Sequence, residues 1–174
     1  MEQLLKQPSE SGGRLDPADT GSEQHYPTAV LVRFGSARYA LAMSSVAEVV
    51  AVPAVTRIPG APEWLAGVVN WRGRVLPVID PRSLLGADRN SLPTSARLLV
   101  LSEDGVEAGF LAEAVAGLLE AGSAVTAAAP ATATAAATSL VRGVLSDSVG
   151  PLSLLDASAL LALRAELPRV RRSR

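Results

Sequence analysis

Few residues of this chain have the chemistry needed for catalysis or for metal binding. The sequence has no cysteine and a single histidine, His25, which excludes a thiol nucleophile, a thiolate metal site and a disulfide. A lone histidine without a second ligand nearby does not predict a zinc site or a catalytic triad. We interpret Asp80 and Asp156 as helix N-caps rather than as a catalytic carboxylate pair. The residues therefore predict neither an active site nor a metal site.

The segment "GVVNWRGRVLPVID", residues 67–80, carries the most distinctive side chains. Two apolar strands flank the turn Asn70-Trp71-Arg72-Gly73, and a hairpin does not itself require a large aromatic residue and a charge at its tip. Arg72 is either a solvated turn residue or a contact for a partner, and we favour the contact. Strand alternation leaves two positions open for Trp71, in the core or exposed as a binding hot spot.

The composition indicates a compact protein without a strong charge bias. The chain has 174 residues, of which 48% are hydrophobic, and its net charge is -1 from 16 basic and 17 acidic residues. This balance gives no electrostatic argument for binding to nucleic acid or to an anionic membrane. There is no signal peptide pattern and no apolar window long enough to span a bilayer. We expect a cytoplasmic protein.

The chain divides into a polar start, an ordered centre and a basic end. Residues 1–27 are polar and aperiodic, which predicts a disordered tail. Residues 28–163 alternate short apolar runs with Gly and Pro turns, which predicts a mainly β domain. Residues 121–139 are nearly all small and could form a loop or a frayed helix. Residues 164–174 are expected to form a basic, solvated tail.

An internal repeat runs through the ordered part. An offset of 69 residues aligns "AVLV" with "LLVL", and an offset of 76 aligns "GVV" with "GVL" and Asp80 with Asp156. We infer two intertwined barrel halves, approximately 28–96 and 97–163, which share a hydrophobic interface. Ser146, Asp147, Ser148 and Val149 stand opposite the Trp-Arg turn. The fold therefore does not require Trp71 and Arg72.

The sequence "YALAMSSVAEVV…VTRIPGAPEWLAGVVNWRGRVLPVIDPRSLLG" resembles the CheW family of chemotaxis adaptors, and the resemblance covers residues 28 to about 163. It implies two SH3-like, five-stranded β-barrel subdomains around a shared hydrophobic core, with short helices. It also implies a non-enzymatic adaptor, without cofactor, that bridges the cytoplasmic tip of a methyl-accepting chemoreceptor to the regulatory domain of a CheA-type histidine kinase.

Matching the motif position by position gives a receptor-facing groove that includes Val46, Glu48, Gly67 and Arg72. By pattern alone, Val46 fits the core and Glu48 a solvated helix end. With the rest of the turn, the predicted partner-binding residues are Val46, Glu48, Gly67, Asn70, Trp71, Arg72 and Gly73. Trp71 and Pro81 replace the Leu residues that are usual in the family. Two alternatives therefore stay open: a paralogue that binds only one of the two partners, and a small ligand-binding barrel.

Overall fold

The computed structural model describes residues 28–120 and 135–167, which form ten strands and several short helices. The strands are β1 Thr28–Phe34, β2 Ala37–Ala42, β3 Val46–Ala51, β4 Leu65–Trp71, β5 Arg74–Ile79, β6 Arg97–Glu103, β7 Val106–Ala112, β8 Ala114–Glu120, β9 Val141–Asp147 and β10 Gly150–Leu155. The helices are α1 Arg82–Leu85, α2 Ala135–Ser139 and α3 Ala157–Ala162, and Met43–Ser45 and Leu163–Glu166 are 3-10 helices. The prediction of a mainly β chain with short helices is confirmed.

The ten strands form two five-stranded sheets with the same internal order. Sheet A runs β8-β1-β2-β10-β9, and sheet B runs β3-β6-β7-β5-β4. The repeat pairs β1 to β5 with β6 to β10 in sequence order, and this substitution converts one sheet order into the other. Each sheet also has one parallel pair, β2 with β10 and β5 with β7. The repeat inferred from the sequence is therefore present in the strand pairing.

Each sheet takes strands from both sequence halves. The first half supplies β1 and β2 to sheet A and β3 to β5 to sheet B, and the second half does the converse. Glu113 alone links β7 to β8, and such a link spans at most about 7 Å. To stay in sheet B on the far side of β6, β8 would have to lie two strand spacings from β7, about 9.6 Å. The short link therefore carries β8 into the other sheet, and the sequence halves do not coincide with the sheets.

The largest hydrophobic cluster joins the two sheets. Phe34 and Leu41 enter it from sheet A, Leu101 and Phe110 from sheet B, and Leu160 from α3. The rings of Phe34 and Phe110 meet edge to face with their centroids 5.9 Å apart, an arrangement that aromatic pairs favour. Each sheet adds a smaller cluster of its own. The shared hydrophobic interface expected from the repeat is therefore present.

Several local predictions need correction. The helical spacing of Met43, Val46, Val49 and Val50 predicts a short helix leading into a strand. The structure limits the helix to one 3-10 turn, because residues 46–51 pair with β6 as strand β3. Residues 114–120 form strand β8, which the repeat implied but the local sequence pattern did not predict. The 3-10 helix Leu163–Glu166 includes residues assigned to the basic tail. In the 121–139 segment, residues 135–139 form α2, whereas 121–134, like the predicted tail 1–27, lies outside the described residues.

The two repeated aspartates have different roles. Asp156 caps α3, because its Oδ1 accepts a hydrogen bond of 3.1 Å from the Ala159 N–H. Asp80 is buried and forms an ion pair of 2.9 Å with the Arg82 guanidinium. Its Oδ1 also accepts from the Arg82 backbone N–H at 3.2 Å. Burial would raise the pKa of Asp80, but the hydrogen bonds and charge of Arg82 hold it below the ordinary value. The cap prediction therefore holds for Asp156, whereas Asp80 mainly anchors a buried arginine.

Candidate functional site

The hairpin tip between β4 and β5 is a tight two-residue turn. Arg72 and Gly73 both have positive φ angles, 50° and 77°, as a type I′ turn requires. The Asn70 side-chain oxygen accepts a hydrogen bond of 3.0 Å from the Gly73 N–H. Asn and Gly therefore shape the turn, whereas Arg72 occupies a conformation that non-glycine residues seldom adopt. The turn presents the Arg72 side chain to solvent, with 70% of it exposed.

Arg72 forms an ion pair that joins the two edges of sheet B. Its Nη2 lies 2.6 Å from Oε2 of Glu48, which is on β3. Strands β3 and β4 are the opposite edges of this sheet. Nearby, Thr56 and Val68 exchange two backbone hydrogen bonds, of 2.8 and 2.9 Å. The segment that follows β3 thus runs beside β4, and the two parts of the predicted motif meet there.

Trp71 is neither sealed in the core nor fully exposed. Its ring is half-buried against the smaller cluster of sheet B. The Arg72 guanidinium carbon lies 5.4 Å from the ring centroid, which is within the range of a cation–π contact. The ring therefore supports the arginine from below while part of it stays accessible.

Gly67 and Val46 lie deeper than the tip. Gly67 is buried, and its φ angle is 146°. A Cβ atom added there would overlap the Thr56 carbonyl oxygen and lie 2.9 Å from Val55 Cγ1. Gly67 therefore allows the segment after β3 to cross β4, which is a packing role. Val46 is half-buried against the main core, and a β-bulge separates it from Glu48.

Sequence reasoning placed Glu48 and Arg72 in one motif but missed their direct contact. The repeat carried a signal for it, since both positions lack a charged counterpart in the second half. Glu48 aligns with Gly117, and Arg72 aligns with Ser148. Because the second copy of the repeat folds without this charged pair, the fold does not require the pair. The interpretation of Glu48 as a helix end was wrong, because it lies within β3.

The arrangement offers recognition chemistry. It combines an exposed guanidinium, a carboxylate that orients it and an aromatic ring beneath it. Apart from the bond to Glu48, no hydrogen bond of the Arg72 guanidinium falls within the described parts of the chain. Its remaining N–H groups are therefore available to carboxylate or carbonyl acceptors. Among residues 28–120 and 135–167, no group of three Asp, Glu or His side chains could hold a metal ion.

Comparison with known proteins identifies the domain. Residues 28–165 match the CheW-like domain family. Protein PilI of Pseudomonas aeruginosa is 36% identical over 86 residues, which are 49% of this chain and 48% of PilI. The chemotaxis protein CheW of Bacillus subtilis is 29% identical over 75 residues, covering 43% of this chain and 48% of that protein. The matched regions thus span about half the length of these relatives.

A solved structure shows the same fold. The scaffolding protein TtCheW from Thermoanaerobacter tengcongensis superposes with a TM-score of 0.67 at 23% sequence identity. The match covers 75% of this chain and 84% of TtCheW. None of the helices in the described ranges is long and apolar enough to cross a membrane. With the family match over most of its length, the chain belongs to the CheW-like domain family.

Proposed function

We propose that this protein is a non-enzymatic adaptor in a bacterial chemosensory pathway, acting in the cytoplasm. It bridges the cytoplasmic tip of a chemoreceptor to the regulatory domain of a CheA-type histidine kinase. The observation that carries this proposal is the exposed pair of Glu48 and Arg72, 2.6 Å apart, at the meeting of two sheet edges. Membership of the CheW-like domain family supports the proposed class of partner.

The hairpin tip is suited to direct contact with the receptor. Arg72, Asn70 and Gly73 are exposed, and Trp71 is accessible in part. An arginine held by a carboxylate and an aromatic ring loses little side-chain entropy on binding. We assign direct contact to this tip and to Glu48, with Val46 at the margin. Gly67 acts beneath them by packing against Thr56.

The kinase contact is the less constrained half of the proposal. Pro81, one of the departures from the family pattern, is buried at the start of α1. It therefore alters the beginning of a helix and not an exposed surface, and it gives no reason to exclude the kinase. An adaptor that binds only the receptor is the alternative, and measuring the two partners separately distinguishes it.

The test measures binding of the full chain to a receptor cytoplasmic fragment and, separately, to a kinase regulatory domain by calorimetry at moderate salt. Arg72→Ala should weaken receptor binding about tenfold or more, as expected for a central arginine. It should change the free energy of unfolding by at most about 1 kcal/mol, because exposed ion pairs contribute little to stability. A fall in the free energy of unfolding clearly larger than about 1 kcal/mol would show that Arg72 is structural and would contradict the proposal.

Arg74→Ala is the matched control. Arg74 lies in the same hairpin, is 65% exposed and pairs with Glu107 at 2.5 Å, so its removal should leave receptor binding nearly unchanged. The double variant E48R/R72E keeps an ion pair but reverses its polarity. We expect it not to restore binding, because the receptor contacts the arginine itself. Restoration would show that only the link between the sheet edges matters. Undiminished binding of all variants would refute the assigned surface.

A further inference from the structure

A groove of about 770 Å³ lies between the β6–β7 hairpin and α3, and none of the residues that line it belongs to the hairpin tip described above. Its apolar lining includes Val106, Leu161 and Leu167, and Glu103 and Asp104 contribute carboxylates. Val106 is 37% exposed. Arg164 also lines the groove, so two carboxylates stand against one guanidinium. Apolar surface with an excess of carboxylate suits a segment that carries both apolar and basic side chains.

The first half of the repeat shows what covers the equivalent groove. The equivalent hairpin there is β1–β2, and the equivalent helix is α1. The connector that follows α1 folds back over this place, since Asn90 and Pro93 line the same cavity as Gly35 and Leu85. The Asn90 carbonyl accepts a hydrogen bond of 2.7 Å from Arg82 Nη1. In the first half, the segment after the helix is therefore the cover of the groove.

By the offset of 76, residues 162–167 correspond to residues 86–91 of the first half, and residues 168–172 correspond to residues 92–96, the end of the covering connector. Leu167, the last described residue, lines the groove and packs against the main core. The chain continues as "PRVRRSR", with four arginines and one valine. Seven residues reach about 23 Å when extended, which is enough to cross a groove of this size. By the offset of 76, Pro168 and Arg169 correspond to Leu92 and Pro93 of the covering connector.

The charges of the groove complement this segment. Positions 103 and 104 are acidic where the first half has Phe34 and Gly35. The two Glu103 oxygens accept hydroxyl hydrogen bonds of 2.5 Å from Ser45 and Ser158, and each oxygen retains a lone pair. Among the ion pairs of the described residues, none involves Glu103 or Asp104.

We propose that residues 168–174 dock in this groove within the same molecule, with Val170 on its apolar lining and the arginines on Glu103 and Asp104. The docked segment covers the β6–β7 hairpin in the way that the α1–β6 connector covers the β1–β2 hairpin. The residues of the partner-binding tip and those that line this groove do not overlap.

A disulfide in the full-length chain tests the proposal, because the chain has no cysteine of its own. The variant V106C/V170C is oxidised at low protein concentration, and intramolecular closure is followed by mass spectrometry. Adding E103Q and D104N should slow closure about threefold, the effect expected of exposed ion pairs. Moderate salt should slow it as well.

The control adds E63Q and D88N, two exposed acidic positions outside this groove, and should leave the closure rate unchanged. If E103Q impairs folding, Asp104→Asn is tested alone, because it leaves both hydroxyl hydrogen bonds of Glu103 in place. This single variant should slow closure by a smaller factor. Equal rates in all variants would show that the segment samples the groove without binding. Disulfide-linked dimers as the main product would show docking between molecules. Either result overturns the proposal.

Discussion

Arg72 combines an uncommon backbone conformation with an exposed charge. At a φ angle of 50°, a glycine or asparagine would be less strained than an arginine. The ion pair with Glu48, exposed as it is, offsets only a small part of that cost. A side chain that adds little to stability at a strained position is better explained by what it binds.

Gly67 is the residue whose replacement should damage the fold most directly. We expect Gly67→Val to lower the free energy of unfolding by about 3 kcal/mol or more. A β-branched residue is strained at a φ angle of 146°, and its Cβ overlaps the Thr56 carbonyl oxygen. Urea denaturation followed by circular dichroism measures the effect.

Gly117→Val separates the clash from the backbone strain. Gly117 has a similar φ angle, 140°, but an added Cβ meets nothing within 4 Å. The control should therefore lose clearly less stability than Gly67→Val. Equal losses would mean that the crossing of Thr56 over β4 imposes no steric limit.

Among the elements, strand β3 shows how far sequence reasoning reaches. The offset of 69 aligns Val46 with Val115, and β3 and β8 hold equivalent places in the two sheets, although the helical spacing predicted a short helix leading into a strand at β3. The contact between Glu48 and Arg72 was not predictable, because it joins opposite edges of a sheet whose strand order has to be known first. Apolar patterns also do not distinguish a strand that stays in one sheet from a strand that crosses to the other.

The β9–β10 hairpin contains a carboxylate whose titration should be visible in stability. Asp147 pairs with Arg38 of β2 at 2.6 Å and accepts from the backbone N–H groups of Val149 and Gly150. The hydrogen bond from Arg38, aided by these N–H groups, lowers the pKa of Asp147 from 3.8 to about 2. Because the pKa is lower in the folded state, this stabilisation is complete above the unfolded value and is lost as the pH falls from about 4 towards 2.

We expect the urea midpoint of the wild type to fall more steeply between pH 5 and pH 2 than that of Asp147→Asn. The variant should also have a lower midpoint at pH 7, where the wild-type carboxylate is charged and paired. Parallel pH profiles for the two proteins would rule out this contribution.

At the scale of the whole molecule, the repeat positions 38 and 107 carry opposite charges. Arg38 of β2 pairs with Asp147 of the β9–β10 hairpin, and Glu107 of β7 pairs with Arg74 of the β4–β5 hairpin. If the two hairpins exchanged places, Arg74 would take the place of Gly150, whose carbonyl lies 3.5 Å from Arg38, and Asp147 would take the place of Trp71, the cross-strand neighbour of Arg74. Like charges would then lie near both Arg38 and Glu107. The parallel registers are the same in both sheets under the repeat, so charge distinguishes arrangements that backbone pairing does not.

The variant R38E/E107R should therefore lower the urea midpoint, because it places like charges at both contacts. Reversing the partners as well, in R38E/E107R/R74E/D147R, should recover the part of the loss that comes from like charges, but not the hydrogen bonds that Asp147 accepts from Val149 and Gly150. The recovery is the informative result, because surface substitutions can lower stability for reasons unrelated to these two ion pairs. A fourfold variant no more stable than the double variant would show that the pairs do not select the hairpins.

Because each sheet is completed by strands from both halves, the order of synthesis matters. When β2 leaves the ribosome, its parallel neighbour β10 is the last of the described strands still to be made. Until then β2 keeps an open edge, able to pair with another nascent chain. Assembly of sheet A must therefore wait until β10 has been translated, and a chain truncated before β10 should be cleared by proteases rather than accumulate as a half-formed domain.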